Sequence, residues 1–195
     1  MVRKLSPEKR LKYLDAALKL FVTHGVQNTS TAAIAKEAGT AAGTLFLYFP
    51  TKQDLIDELV MEIVKAQSET INAALTPTLS AQASFLAIWE ASINWFLANL
   101  EAYQYIQQIR DSGMISDEII QQTNAYFDFY YTAIQKGLSE SAIKAYPVDL
   151  IGEFLYRAII AIMNLVKAIS DINQREEYIH AGFEIFWNGI KNDGA

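Results

Sequence analysis

Apolar side chains recur at intervals of three and four residues along most of this chain, which is the spacing that places them on one face of an α-helix. Near the N-terminus such a stripe is formed by Leu11, Leu14, Leu18 and Phe21, and Gly25 follows as a stop signal. The same periodicity predicts further helices over about 52–74, 80–100, 102–110, 116–137, 148–169 and 174–191. No segment alternates as a half-buried strand does. We therefore predict an all-α protein of about nine helices.

The segment from Gly25 to Lys52 predicts two short helices around a tight turn. The first would extend over about 31–38 and the second over about 41–48, and each follows a residue with a hydroxyl group. The long helix predicted to begin at Lys52 comes directly after them. Together with the first amphipathic helix, the two short helices form a predicted three-helix unit.

Capping and small residues define the turn between the two short helices. Thr29, Ser30 and Thr31 supply hydroxyls that can cap the first short helix, Thr40 can cap the second, and Thr51 can cap the following one. Gly39 lies where a helix end often requires a positive φ. Ala35, four residues earlier, is small enough for the second helix to pass closely. This spacing is typical of a helix-turn-helix, whose second helix enters the major groove of DNA.

Charge is distributed unevenly along the chain, whose net charge is −6. Residues 1–52 contain eight Lys or Arg and three Asp or Glu, a balance of +5, whereas the remainder carries −11. The basic region can meet phosphates, and the acidic remainder disfavours non-specific contact with DNA. Arg3 and Lys4, ahead of the first helix, form either an arm that reaches DNA or a disordered tail.

The run AIAKEAGTAAGTLFLYFPTKQDLI resembles the DNA-binding segment of the TetR/AcrR family of bacterial transcriptional regulators. The matching elements are Ile34-Ala35, Ala38-Gly39, Gly43-Thr44-Leu45, Tyr48-Phe49, Lys52 and Leu55. The resemblance covers about the first 60 residues, and beyond them only length and helical layout are similar. It implies a DNA-binding domain over 1–51 and a helical effector-binding and dimerisation domain over 52–195. It also implies a ligand-responsive repressor that binds a palindromic operator as a two-fold dimer.

Carried over position by position, the resemblance assigns residues on and near the second short helix to the DNA interface. Those on or near groove-facing turns are Ala41, Ala42, Gly43, Thr44, Phe46 and Leu47, and Thr40 before them is also assigned to the DNA interface. Those that match phosphate-contacting places are Ser30, Thr31, Tyr48 and Lys52. Hydroxyls and free N–H groups at a helix N-terminus suit phosphate, which agrees with the second group. Leu45 and Phe49 are expected to pack in the core instead.

The groove-facing positions depart from the family pattern. Ala41 and Ala42 replace polar residues often seen there, and Phe46 stands where a tyrosine is common, so it offers no hydroxyl to a phosphate. Base reading should therefore depend on Thr44, on methyl contacts to thymine from Ala42 or Thr44, and on DNA shape. We expect modest base discrimination in each half-site.

The last two helices are the predicted dimer surface. The helix over 148–169 is apolar nearly all round, so it should pack against both the chain's own core and a partner. The resemblance implies the same, because the last two long helices of the family pair with their mates in a four-helix bundle. The predicted anchors are Phe154, Ile162, Phe183 and Trp187. Their division between partner and core is left open by the sequence.

Aromatic residues are abundant on the middle helices, which suits the binding of a small hydrophobic or aromatic effector. The predicted ligand-binding residues are Trp89, Asn94, Phe96, Tyr103, Gln107, Arg110, Tyr126 and Tyr130. Ordinary core packing is the competing interpretation for each aromatic residue. The sequence identifies neither the effector nor the operator.

Catalytic and cofactor motifs are lacking. The chain has no cysteine, which excludes disulfides and thiolate metal sites, and no HExxH or phosphate-cradling glycine loop. His24 and His180 lie far apart and predict no metal site. We therefore expect no enzyme activity and no cofactor. No signal peptide and no membrane-spanning run is predicted, so a cytoplasmic location is the default expectation.

An alternative function stays open at this point. An all-helical dimeric adaptor, or a small-molecule-binding protein without specific DNA recognition, would share the aromatic middle helices and the apolar last helices. Salt-dependent binding of DNA would separate the two, since only a protein that grips phosphates loses affinity steeply with added salt.

Overall fold

The computed structural model describes residues 5–110 and 112–192. The predicted arm with Arg3 and Lys4 lies outside these residues. The described chain forms the ten α-helices α1 (Pro7–His24), α2 (Thr31–Glu37), α3 (Ala42–Leu45), α4 (Lys52–Ala74), α5 (Ala81–Ala98), α6 (Leu100–Arg110), α7 (Asp117–Asn124), α8 (Asp128–Ser139), α9 (Val148–Val166) and α10 (Ile172–Ile190). Its one β-type pairing is an isolated bridge between Ile143 and Lys191. The prediction of an all-α protein is confirmed.

The helix predicted over 116–137 is present in two parts. A 3₁₀ turn, Ala125–Phe127, separates α7 from α8. At this turn the ring of Phe127 packs against those of Phe129 and Tyr130, with centroids 5.9 and 6.0 Å apart. This break accounts for ten α-helices in the described chain where the periodicity predicts about nine.

The chain divides into two compact units. The first comprises Met1–Val64 and Leu100–Thr123, and the second comprises Lys65–Asn99 and Asn124–Ala195. The predicted division into a DNA-binding domain over 1–51 and an effector-binding and dimerisation domain over 52–195 stays a prediction. None of the described helices combines the length and the apolar content that a bilayer-crossing segment needs.

The first unit packs α6 against α1 and α4. The rings of Phe21 and Tyr105 stack with centroids 5.9 Å apart. The hydroxyl of Tyr105 donates a hydrogen bond to the carbonyl oxygen of Ile56 over 3.2 Å. Burial raises the pKa of Tyr105 above its ordinary value, so this hydroxyl stays protonated and remains a donor.

The second unit is built around Trp89 of α5, which is fully buried. Its indole lies beside the rings of Phe183 and Phe186, with centroids 6.0 and 6.3 Å away. Its Nε1 donates to the carbonyl oxygen of Ile179 over 2.9 Å, so the indole's only polar group is satisfied. The side of α10 that carries Phe183 and Phe186 therefore packs inward against α5.

Helices α9 and α10 cross closely at Gly182. A Cβ atom added there would lie 2.5 Å from Cδ1 of Ile162 and 2.9 Å from Cζ2 of Trp89. Only a glycine gives the two helices this spacing without displacing a neighbour. Each of the two helices has one buried and one exposed apolar side.

Candidate nucleic-acid interface

The turn between α2 and α3 has the geometry that the sequence predicts. Gly39 adopts φ +71°, in the region that favours glycine. Ala35 is fully buried, and its carbonyl oxygen accepts a hydrogen bond from the amide of Thr40 over 2.9 Å. The small residue at 35 and the glycine at 39 therefore bring the two short helices together as expected.

The prediction that Thr40 caps the second short helix is wrong. The N-cap of α3 is Ala41, which makes no side-chain capping bond. The hydroxyl of Thr40 instead accepts from the hydroxyl of Tyr13 over 2.8 Å and donates to the carbonyl oxygen of Ala35 over 3.3 Å. A buried tyrosine hydroxyl requires a partner, and it recruits the side chain that would otherwise cap the helix.

Helix α3 is shorter than the predicted 41–48. It comprises Ala42–Leu45, and the chain then continues through turns to Tyr48. The amide of Leu47 donates to the carbonyl oxygen of Thr44 over 3.2 Å, and that of Tyr48 donates to Leu45 over 2.9 Å. These bonds to the third preceding residue keep the segment coiled beyond the helix.

The prediction that Leu45 and Phe49 pack in the core is confirmed. Leu45 is fully buried and Phe49 is 1% exposed, as expected for core residues. Phe46 and Leu47, on the predicted groove side, are 45% and 63% exposed. The other predicted groove residues are exposed at Ala41, Ala42 and Gly43 and partly buried at Thr40 and Thr44.

Tyr48 and Lys52 are partly buried and bonded to the backbone. The hydroxyl of Tyr48 accepts a hydrogen bond from the amide of Ser6 over 3.1 Å, and its ring lies 5.4 Å from that of Tyr13. The ammonium of Lys52 donates to the carbonyl oxygen of Val26 over 2.6 Å. Desolvation by burial lowers the pKa of Lys52 below its ordinary value. Both side chains thus fix the start of α1 and the loop after it, in addition to any contact with phosphate.

Ser30, Thr31 and Thr51 lie at helix starts. Of the three residues predicted to be able to cap α2, Ser30 is the one that does so, because its hydroxyl accepts from the amide of Ala33 over 3.1 Å. Thr51 caps α4, since its hydroxyl accepts from the amide of Asp54 over 3.1 Å. Ser30 is exposed and Thr31 is partly buried, so both can be reached from solvent.

Ion pairs alter the charge balance estimated from the sequence. Arg10 binds the carboxylates of Glu58 and Glu62 on α4, the latter over 2.8 Å, and Lys19 binds Glu37. Counting charges by position in the chain does not reveal these pairs, because both Glu58 and Glu62 lie about 50 residues from Arg10. The exposed cations on α1 and α2 that have no ion pair among the described residues are Lys9, Lys12 and Lys36.

Gln53 and Asp57 hold a distant segment that sequence analysis did not single out. The side-chain Nε2 of Gln53 donates to the carbonyl oxygen of Met114 over 2.8 Å. A carboxylate oxygen of Asp57 accepts from the amide of Ser116 over 3.2 Å and from Gln53 over 3.0 Å. These bonds dock the segment between α6 and α7 onto the first turns of α4. No local pattern reveals them, since the partners are about 60 residues apart.

The predicted effector residues belong to both compact units. Tyr103, Gln107 and Arg110 lie in the first unit, and the other five lie in the second. Trp89, Phe96 and Tyr103 are buried, Asn94 and Arg110 are exposed, and Tyr126, Tyr130 and Gln107 are intermediate. The Nε2 atom of Gln107 is buried and has no hydrogen-bond partner among the described residues.

One cavity of the second unit, of about 340 Å³, lies beside Ser80, Glu140, Glu184, Trp187 and Lys191. None of the eight predicted effector residues lines it. Most of its lining residues are polar or charged, whereas an apolar and aromatic lining is expected for the effector.

The four predicted dimer anchors occupy different environments. Phe154 is 64% exposed, whereas Phe183 and Trp187 are 2% and 6% exposed and belong to the chain's own core. Ile162 packs at the α9–α10 crossing beside Gly182. The exposed large apolar side chains of α9 and α10 are Leu150, Phe154, Leu165, Ile172, Tyr178 and Ile185. Helical periodicity predicts an apolar helix, but it does not decide which side faces inward.

Comparisons with known proteins give consistent matches over most of the chain. The family model described as bacterial regulatory proteins, tetR family, matches residues 14–59, and one described as tetracyclin repressor-like, C-terminal domain, matches residues 60–192. The transcriptional regulator SrpR of Pseudomonas putida is 23% identical over 92% of this chain and 84% of its own length. The regulator YhgD of Bacillus subtilis is 23% identical over 82% of this chain and 84% of its own. A tetR family transcription regulator from Shewanella sp. PV-4 superposes with a TM-score of 0.87 at 27% identity, covering 94% of this chain and 98% of that one.

Proposed function

Since the chain belongs to the TetR family of bacterial transcriptional regulators, we propose that α3 and the turn after it bind the major groove of a palindromic operator. The observation that carries this proposal is that residues 41–49 separate into buried and exposed side chains. Leu45 and Phe49 are buried, whereas Ala41, Ala42, Gly43, Phe46 and Leu47 are exposed. An exposed ridge on the segment 1–52, whose net charge is +5, has the shape and charge that a groove accepts.

Phosphate contacts on either side of the groove would position this ridge. We propose Ser30, Thr31, Tyr48 and Lys52 as their donors. The hydroxyl of Tyr48 acts only as an acceptor in its bond to Ser6, so its own hydrogen remains available. Lys52 has three ammonium hydrogens, and its bonds to backbone carbonyls orient the side chain without using all of them.

Two such ridges are needed for tight, specific binding, because one module buries too little surface. The proposed dimer interface is the exposed apolar side of α9 and α10, with Phe154 and Ile185 at its centre. These two side chains are 64% and 77% exposed in the single chain. Phe183 and Trp187 are left out of the interface proposal because they are already buried within the chain's own core.

The proposed regulatory signal is a small hydrophobic or aromatic effector that weakens operator binding, so that the protein acts as a repressor. Gln107 supports a role for α6, because its buried Nε2 lacks a partner in the described chain and could bind a polar group of the effector. Tyr103 lies four residues earlier, on the same side of that helix. Helix α4 follows the DNA-binding segment directly, so its displacement would change the spacing of the two ridges.

We propose that the protein acts without catalysis and in the cytoplasm, where the chromosomal DNA of a bacterium lies. Its family consists of transcriptional regulators, which supports both points. No cofactor enters the proposed mechanism.

The test is selection of duplexes from random DNA by the full-length protein, followed by binding measurements at several salt concentrations. We expect a palindromic site and an affinity that falls steeply with salt, because phosphate contacts release counterions. Leu47→Asp should abolish binding, whereas Ile120→Asp, at an exposed residue of α7, should leave it unchanged. Recovery of no specific duplex would overturn the proposal and favour the adaptor function.

A further inference from the structure

The exposed surface at α3 is almost devoid of side-chain hydrogen-bonding groups. We call the residues Ala41, Ala42, Gly43, Thr44, Phe46 and Leu47 the reading surface. Of these, only Thr44 has a polar side-chain atom, and its residue is partly buried. The hydroxyl of neighbouring Thr40 is already bonded to Tyr13 and Ala35.

Hydrogen-bond readout of base edges requires other side chains. Guanine is read by Arg or Lys, adenine by Asn or Gln, and cytosine by Asp or Glu. The reading surface contains none of these residue types. The one apolar group that a base pair presents in the major groove is the C5-methyl of thymine, which Ala, Thr and Phe side chains contact.

Phe46 and Leu47 are the most prominent apolar groups of this surface, at 45% and 63% exposed. Their backbone is held by the buried neighbours Leu45 and Phe49 and by the amide of Phe49, which donates to Leu45 over 3.0 Å. Leaving two large apolar side chains in water is unfavourable, and it is offset when a partner covers them. The partner here is DNA, since the surface lies in the family's DNA-binding region and residues 1–52 carry a net charge of +5.

We infer that Phe46 and Leu47 are specificity-determining residues that read thymine C5-methyl groups, so that the operator half-site is selected mainly through its thymines. This inference rests on the proposed operator binding at α3. It adds the chemical group that is recognised and the side chains that recognise it.

The experiment compares operator duplexes that contain thymine or deoxyuridine at single positions. Deoxyuridine lacks only the C5-methyl and keeps Watson–Crick pairing. Burial of one methyl group corresponds to about a four-fold change in affinity, so replacing both symmetry-related thymines should weaken binding about fifteen-fold. We expect this loss at one or two positions of each half-site and no change at flanking thymines.

Variants then assign the effect to side chains. The Phe46→Ala/Leu47→Ala protein should bind the thymine operator more weakly than the unaltered protein does. Its ratio of affinities for thymine and deoxyuridine duplexes should fall close to one. Leu100→Ala, at a leucine of α6 that is 41% exposed, serves as the matched control and should keep the full ratio. Both altered side chains are exposed, so thermal unfolding should confirm that the variant retains its fold.

Three results would overturn the inference. Equal affinity for thymine and deoxyuridine duplexes would exclude methyl readout while leaving operator binding intact. A ratio unchanged by the double substitution would show that other residues, or the altered shape of the duplex, cause the preference. Absence of any specific duplex would overturn the proposed function itself.

Discussion

Thr40 illustrates how a single hydroxyl can be assigned to three roles. Its position suggests a helix cap and a DNA contact, but its Oγ1 lies 2.8 Å from the hydroxyl of the fully buried Tyr13. We predict that Thr40→Val lowers the free energy of unfolding by about 1–3 kcal/mol, because the tyrosine hydroxyl is left without its partner. Urea denaturation measures this change.

The control for this prediction is Tyr13→Phe combined with Thr40→Val. Removing both partners eliminates the unsatisfied group, so the double variant should be more stable than Thr40→Val. If Thr40→Val instead kept full stability and lost operator affinity, its hydroxyl would act on DNA rather than within the fold.

For single residues, the sequence predicts which side chains are buried better than it predicts their hydrogen-bond partners. The small Ala35, the glycine at 39 and the inward Leu45 follow from local spacing, and all three are found as predicted. The bonds of Tyr48 to Ser6 and of Lys52 to Val26 join residues 42 and 26 positions apart, and no local pattern specifies them. Tertiary contacts decide which of several possible partners a polar side chain takes.

Between elements, the segment after α6 is docked on α4 through Asp57. We predict that Asp57→Ala speeds hydrogen exchange at the amide of Ser116 at least about ten-fold, because a hydrogen bond to a charged acceptor is lost. Asp54→Ala is the matched control, since among the described residues the carboxylate of Asp54 bonds only to Thr51 at the start of α4. Unchanged exchange at Ser116 in Asp57→Ala would mean that packing, rather than this bond, holds the segment.

The α9–α10 crossing depends on Gly182. We predict that Gly182→Ala costs about 1–3 kcal/mol of unfolding free energy, because the added methyl overlaps Ile162 and Trp89. Gly189→Ala, on the same helix with nothing within 4 Å of its added Cβ, should instead gain up to about 1 kcal/mol. Ile162→Val removes the Cδ1 atom and should partly rescue Gly182→Ala. Equal stability of the two alanine variants would contradict this view of the crossing.

For the whole molecule, length and periodicity predict the all-α architecture. They do not predict which sides of the last two helices face the core. α9 buries Ile151, Leu155 and Met163 while exposing Leu150 and Phe154. Both sets are apolar, so hydrophobicity gives no signal for the orientation. The choice between core and partner is made by the packing of α5 and α10 against one side.

The exposed side of α9 and α10 leads to a prediction about assembly. We expect the protein to sediment as a dimer and Ile185→Glu to sediment as a monomer, because the interface would have to bury an unpaired carboxylate. Ile120→Glu, at a 47% exposed residue of α7, is the control and should remain dimeric. The monomer should also bind the operator far more weakly, since the second half-site is then no longer engaged within the same complex. A dimeric Ile185→Glu protein with full operator affinity would place the interface elsewhere on the molecule.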